Sequence, residues 1–280
     1  MDFVAIGHMT LDRTAHGTRP GGAAYYAAMT AHRLGLRVGV LTSYGSEFPR
    51  DALPPDIRIE NVRSERTTVF VLEESPRGRR LRVLNRAEDL EADHLPDDWR
   101  DSPLAVICPV INEVDPALAG GFTEASLGVL PQGWMRERGA GGAISPAPWE
   151  DARLVLPHAQ LLALSDEDIE HAQKTAVEWF QHVPLGVVTR GRGGATLFVN
   201  GERYHVEADR ATEVDATGAG DVFATALLVE YDRDGNPWEA AGAAACAAAA
   251  SVEAVGAAGI PDRAALAARV AAYQRRLAGG

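Results

Sequence analysis

The 280-residue sequence predicts a doubly wound α/β fold, with a mostly parallel sheet flanked by helices and a small β-hairpin appendage. Three observations lead there. Short continuous apolar runs such as "DFVAIG", "LAVICPV" and "AQLLALS" read as strands buried on both faces. Helix-like segments fall between the first of these runs and between later ones, which is the pattern of parallel crossovers. Residues 67–84 break the rhythm with partly polar alternation, the mark of strands with one wet face.

Taken in order, "DFVAIG" is a first strand and "GGAAYYAAMTAHRLG" a helix closing at Gly35. "RVGVLTSYG" returns as the next strand, completing a βαβ unit. "TTVFVLEE" and "RRLRVL" flank the turn "SPRG" as a hairpin standing off the main body. Residues 85–102 are acidic and loop-like. "LAVICPV", "ASLGVLPQG" and "AQLLALS" then resume the buried strands, and "DEDIEHAQKTAVEWFQ" follows as a helix. "LGVVTRGRGG" is a strand running into a glycine turn, and "ATLFVNGERYHVEA" a hairpin with a tight Asn-Gly turn. Residues 219–232, 236–251 and 261–276 read as helices. There is no internal repeat.

The totals narrow the function. A net charge of −12 with no basic block argues against nucleic acid or an anionic membrane as partner. Cys108 and Cys246, the only cysteines, sit in apolar runs and read as buried thiols. The opening residues lack a signal-peptide pattern and no run is long and apolar enough for a membrane span, so a cytoplasmic protein is expected. The single lysine, Lys174, has no glycine loop before it, which removes Walker A, protein-kinase and Schiff-base chemistry. The histidines show no metal-ligand spacing.

The chemistry concentrates in "EVDATGAGDVFATALLVEY", residues 213–231. Glycines before a helix let backbone N–H groups approach an anion, and a helix start carries unpaired N–H groups and partial positive charge. Asp221 falls in the first helical turn. It is either a helix-capping acid, favourable by roughly 0.5–2 kcal/mol, or a general base beside an anion hole. A Rossmann reading is weaker, because Phe223 stands where the third glycine belongs.

"DATGAGDVFATALL" closely resembles the C-terminal signature of the PfkB (ribokinase-like) family of sugar and nucleoside kinases, with Ala216 in place of a more usual threonine. "VAIGHMTLD" with "RPGGAAYYAA" resembles the family's N-terminal element, and "VVTRGRGGATLF" its nucleotide-side strand and turn, so the likeness spans nearly the whole chain. "GGAAYY", "CPVINEVD", "LPQGWMRERG" and "VEAVGAAGIP" look like the branch that includes myo-inositol kinases.

The resemblance implies one ribokinase-like domain over 1–280, with residues 67–84 and also 12–20 forming a β lid that pairs across a homodimer. It implies transfer of the γ-phosphoryl group of ATP, with magnesium and a potassium site, to a hydroxyl of a cyclitol or other small polyol. Asp221 would be the base, and the N–H groups of Gly218, Ala219, Gly220 and Asp221 the anion hole. Asp12, Gly21 and Gly22 would meet the acceptor. Tyr26 stands where many members carry asparagine, so with Tyr25 it would offer a stacking face and a hydroxyl. Gln132 and Arg136 would reach acceptor hydroxyls or a phosphate. Thr189, Gly191, Gly194, Ser251 and Gly256 would line the donor side, and Asp215 would lie by the potassium. Ser165 and Asp168 of "SDED" fill the place of the family's magnesium-organising motif, although the same four residues also read as a plain helix cap. A nucleoside acceptor, and a non-catalytic binding or regulatory relative, remain the alternatives.

Overall fold

The computed structural model describes all residues except 15–16, 76–77, 123, 170–172 and 280; the side chains of 72–80 and 173–175, including that of Lys174, also lie outside the described set. In chain order the elements are β1 (Phe3–Ile6), β2 (Thr10–Thr14), β3 (Gly17–Gly21), α1 (Ala23–Arg33), β4 (Val38–Tyr44), β5 (Arg58–Arg63), β6 (Thr68–Ser75) and β7 (Gly78–Asn85). Then come β8 (Leu104–Ile107), β9 (Ser126–Val129), β10 (Arg136–Arg138), β11 (Ile144–Pro146), α2 (Ala152–Val155), β12 (Leu161–Ser165), α3 (Asp166–Ile169) and α4 (Gln173–Trp179). The chain closes with β13 (Leu185–Thr189), β14 (Ala195–Val199), β15 (Glu202–Val206), α5 (Ala219–Asp234), α6 (Pro237–Ser251) and α7 (Arg263–Ala278).

The main sheet has nine strands in the order β15-β14-β13-β12-β9-β8-β1-β4-β5, antiparallel only at the β13-β14-β15 end. Its strands read as continuous apolar runs because both faces are covered. Phe3 and Ala5 of β1 enter one core while Val4 and Ile6 enter the other, and Leu104/Val106 against Ala105/Ile107 repeat this in β8. One core lies under α1, α5, α6 and α7. The other is built on Trp99, Trp134, Trp149 and Trp179, with Trp134 and Trp149 stacked at 5.5 Å. Alanine fills the buried face of α6, so its backbone packs close to its neighbours. Asn236 caps that helix by accepting from the N–H groups of Trp238 and Glu239, with Pro237 in the first turn, which fixes its start.

The Asn-Gly turn of the β14–β15 hairpin is formed as the sequence indicates, with positive φ at both Asn200 and Gly201. Cys108 and Cys246 are free and buried. The reading of "DEDIEHAQKTAVEWFQ" as a helix is met by α3 and α4, separated by residues outside the described set. Sequence reading missed β5, an edge strand paired with β4, because its alternation is mostly polar. It also missed the short β10–β11 ribbon, whose three-residue strands carry no period.

A second sheet, β3-β2-β6-β7, stands on the first. It mixes antiparallel β2–β3 and β6–β7 pairs with a parallel β2–β6 pair. Phe70 and Val83 seat it on Val110 and Ile111, just beyond β8. Between β1 and α1 the chain makes the β2–β3 excursion, overlapping the stretch 12–20 that the resemblance implied for the lid.

Candidate active site

The main sheet reverses its winding between β1 and β8, and ligands of open α/β sheets gather at the carboxyl ends beside such a switch. Here β1 leads into Gly7 and His8, β8 into Cys108, β12 into Ser165 and β13 into Thr189, with the start of α5 facing them. A Cβ on Gly7 would meet the Cys108 carbonyl oxygen at 2.4 Å, which shows how closely the two strand ends approach.

Gly218 caps α5 with φ 77°, a left-handed conformation that favours glycine. A second constraint acts at the same residue. The face of the Tyr26 ring lies so close that a Cβ here would sit 2.4 Å from it. Ala219 N–H closes a turn on the Ala216 carbonyl at 3.3 Å, and Val222 N–H begins the helical ladder on Gly218 at 2.9 Å. Between them, the N–H groups of Gly220 and Asp221 occupy the first turn, where a helix has no partners of its own. The Thr189 hydroxyl faces Gly220 from the end of β13.

Asp221 is partly open to the cleft yet surrounded by protein. Burial drives its pKa up to about 7; Arg136 pulls it down, and the carboxylates of Asp168 and Asp12 push it up. A carboxyl poised near neutrality beside a helix N-terminus is suited to taking a proton at an anion-binding site.

Asp12 lies on β2 and accepts from the Thr10 hydroxyl at 2.9 Å. Its pKa is raised by burial, with Arg19 and Arg136 opposing. Gly21 leaves the room this carboxylate needs: a Cβ there would stand 2.1 Å from Asp12 Oδ2. Gly22 has φ 91° and its Cα faces the His8 carbonyl. Tyr26, expected to offer a stacking face, is only 1% exposed, and Gly218 covers its ring. Its hydroxyl is buried with no hydrogen-bond partner among the described residues, as is Arg19 Nε. Tyr25 is buried too and meets Tyr26 edge-on at 5.4 Å.

Ser165 and Asp168 form a reciprocal cap. Asp168 Oδ2 accepts from Ser165 N–H at 2.8 Å and from its hydroxyl at 2.7 Å, and Ser165 Oγ accepts from Asp168 N–H at 3.2 Å. The Gln132 amide donates to the other Asp168 oxygen at 2.9 Å. Three contacts on a carboxylate with about four lone-pair sites leave room for one water of a hydrated magnesium ion, so the pair fits that ion as an outer partner. Arg136 opens β10 and donates to the Val110 carbonyl at 3.1 Å. Burial lowers its pKa, while Asp168, Asp221 and Glu113 hold it up.

The residues implied for the donor side are spread over three turns. Gly191 and Gly194 have positive φ in the turn after β13, and at Gly194 a Cβ would strike the Val206 carbonyl at 2.1 Å. The Ser251 hydroxyl is turned back on its own helix, donating to Ala248 at 2.8 Å. Gly256, with φ 61°, donates its N–H to Asp215 at 2.9 Å.

Asp215 is the residue whose surroundings differ most from expectation. Its two oxygens take both terminal nitrogens of Arg19, the N–H and hydroxyl of Thr217, and the N–H of Gly256, five contacts in all. Burial raises its pKa, but the Gly256, Thr217 and Arg19 donors more than offset this and hold it low. This donor set fills the carboxylate and does not fit a potassium ion. Arg19 was missed from sequence: nothing in "TRPGG" indicates contact with a residue 196 positions later, although a strand through 12–20 would have set it opposite Asp12, as β2–β3 pairing does.

Residues 137–263 match the model of the pfkB family carbohydrate kinases. A cytidine kinase of Thermococcus kodakarensis is 25% identical over 260 residues, spanning 85% of this chain and 91% of that protein. Among solved structures, a pyrophosphate-dependent kinase of the ribokinase family, complexed with a pyrophosphate analog and myo-inositol, aligns with a TM-score of 0.79 at 18% identity over 95% of this chain and 99% of that one. A fructokinase double mutant of Vibrio cholerae, bound to fructose, ADP and potassium ion, aligns with a TM-score of 0.72 at 19% identity over 96% and 98%. These two likenesses establish the ribokinase-like fold, and the stretch that matches the pfkB carbohydrate-kinase family, residues 137–263, contains the motif at 215–221.

Proposed function

We propose that this protein transfers the γ-phosphoryl group of ATP to a hydroxyl of a small polyol, with a cyclitol such as myo-inositol as the first candidate and a simple sugar after it. The observation that carries the reading is Asp221: a carboxyl in the first turn of α5 behind the Gly218 turn, raised to about 7 by burial, with the charges of Arg136, Asp168 and Asp12 acting on it. It would take the proton of the attacking hydroxyl. The first-turn N–H groups of Gly220 and Asp221, presented by the Gly218–Ala219 turn, would receive the transferred phosphoryl group, and preorganised donors of this kind are usually a large part of the rate enhancement. Asp12 would orient acceptor hydroxyls, with Gly21 and Gly22 leaving room for them and Arg136 compensating charge. Gln132 would act through Asp168, which it holds. Thr189, Gly191, Gly194, Ser251 and Gly256 would border the donor. Magnesium, when bound, would neutralise charge between donor phosphates, and Asp168 and Ser165 would order its water.

The buried Tyr26 hydroxyl has no partner among the described residues, and the charges of Asp12 and Asp221 act on it. Leaving such a group unpaired costs about 1–3 kcal/mol, and a hydroxyl-rich acceptor would supply the missing partner. The second sheet would then close over the acceptor as a lid and exclude water. A nucleoside acceptor is the second reading. The cytidine kinase likeness favours it, while the covered Tyr26 ring withholds the stacking face a base would use.

The test is acceptor-dependent release of ADP from ATP, or of phosphate from pyrophosphate, with magnesium, over panels of cyclitols, sugars and nucleosides. Release that collapses in Asp221→Asn supports the reading and identifies the acceptor class. Donor binding without transfer to any acceptor would refute it.

A further inference from the structure

Asp215 heads the loop that leads to Gly218, and its surroundings assign a role to Arg19. The guanidinium reaches Asp215 Oδ2 through Nη1 at 2.5 Å and Oδ1 through Nη2 at 3.1 Å. The same Nη2 donates to the Thr217 hydroxyl at 3.0 Å. The pair is shielded, with side chains only 25% and 11% exposed. Two-point contact of this kind is the geometry in which a planar guanidinium exceeds a simple point charge. Through Asp215 it also holds Gly256 N–H at 2.9 Å, so three segments distant in sequence meet on one carboxylate: β3 of the second sheet, the 215–217 loop, and the turn after α6.

We propose that Arg19 is the resident cation of the anion-binding loop. It supplies at Asp215 the positive charge that a bound potassium ion would bring, so this chain requires no monovalent metal ion there, and the second sheet orders the loop directly. Arg19 is a positioning residue: it acts through Asp215 and Thr217 on the backbone that leads to the first turn of α5. The claim for turnover rests on the phosphoryl-transfer reading above; the claim for loop order does not.

Two readouts on the full-length protein keep these apart. Melting temperature and turnover are measured for wild type, Arg19→Gln and Arg19→Lys in potassium, sodium and choline chloride at equal ionic strength. Wild type is expected to give the same values in all three salts. Arg19→Gln should melt lower in choline by roughly 3–6 °C and lose activity, and potassium should restore most of both, because the vacated carboxylate then accepts the ion. Arg19→Lys should keep its salt independence. Wild type activated several-fold by potassium over choline would overturn the proposal. So would Arg19→Gln matching wild type in every salt, or losing stability that potassium does not restore, since the arginine would then be an ordinary ion pair. If no variant transfers phosphate under any condition, the kinase reading fails and the melting data still decide this one.

Discussion

Replacing Asp221 by asparagine should make the protein more stable at neutral pH while removing its activity. The carboxyl rises from 3.8 to about 7 in the fold, with burial as the main cause. A folded-state pKa above the unfolded value means that the folded protein holds its proton more tightly. The group is therefore neutral and without cost below about pH 4, and stability is lost as pH rises towards 7, beyond which the loss is complete. A shift of about 3 units corresponds to about 4 kcal/mol at most. Because the side chain keeps some solvent contact, about 1–2 kcal/mol is the better expectation. Asparagine escapes that cost. Differential scanning of both proteins should show the variant melting roughly 2–4 °C above wild type at pH 8, with the gap shrinking steadily towards pH 4. Turnover should fall by about 100-fold or more, as for the loss of a general base. Parallel melting curves across this range would refute the account of Asp221 as a desolvated carboxylate held for chemistry.

The pH profile of kcat/KM should rise about tenfold between pH 6 and pH 8, and Arg136→Met should move its midpoint upward, since the guanidinium now favours the ionised carboxylate; a flat profile, or a midpoint near 4, would contradict this. Gly21→Ala places a methyl 2.1 Å from Asp12 Oδ2 and should raise KM for the acceptor more than it lowers the melting temperature. Ser165→Ala breaks the reciprocal cap and should cost about 1 kcal/mol of stability, and a rise in the magnesium concentration needed for half-maximal rate would link Asp168 to the ion. Gly218→Ala, which meets both a positive φ and the Tyr26 ring, should abolish activity, read alongside circular dichroism to follow folding.

Sequence by itself determined the fold class and most strands of the main sheet, and it marked the candidate site. Strands buried on both faces must be apolar throughout, so β1, β8, β12 and β13 are legible as runs, and the Asn-Gly turn is legible because both residues need positive φ. The stretch 215–221 is legible because glycines ahead of a helix and an acid in its first turn form a local pattern. Tertiary structure alone decided what those residues touch. It buried Tyr26 flat against Gly218 and brought Gln132 onto Asp168. It also brought Arg19 from the second sheet onto Asp215. Each is a contact between distant segments, set by how two sheets and a helix pack, and no local periodicity encodes such a meeting.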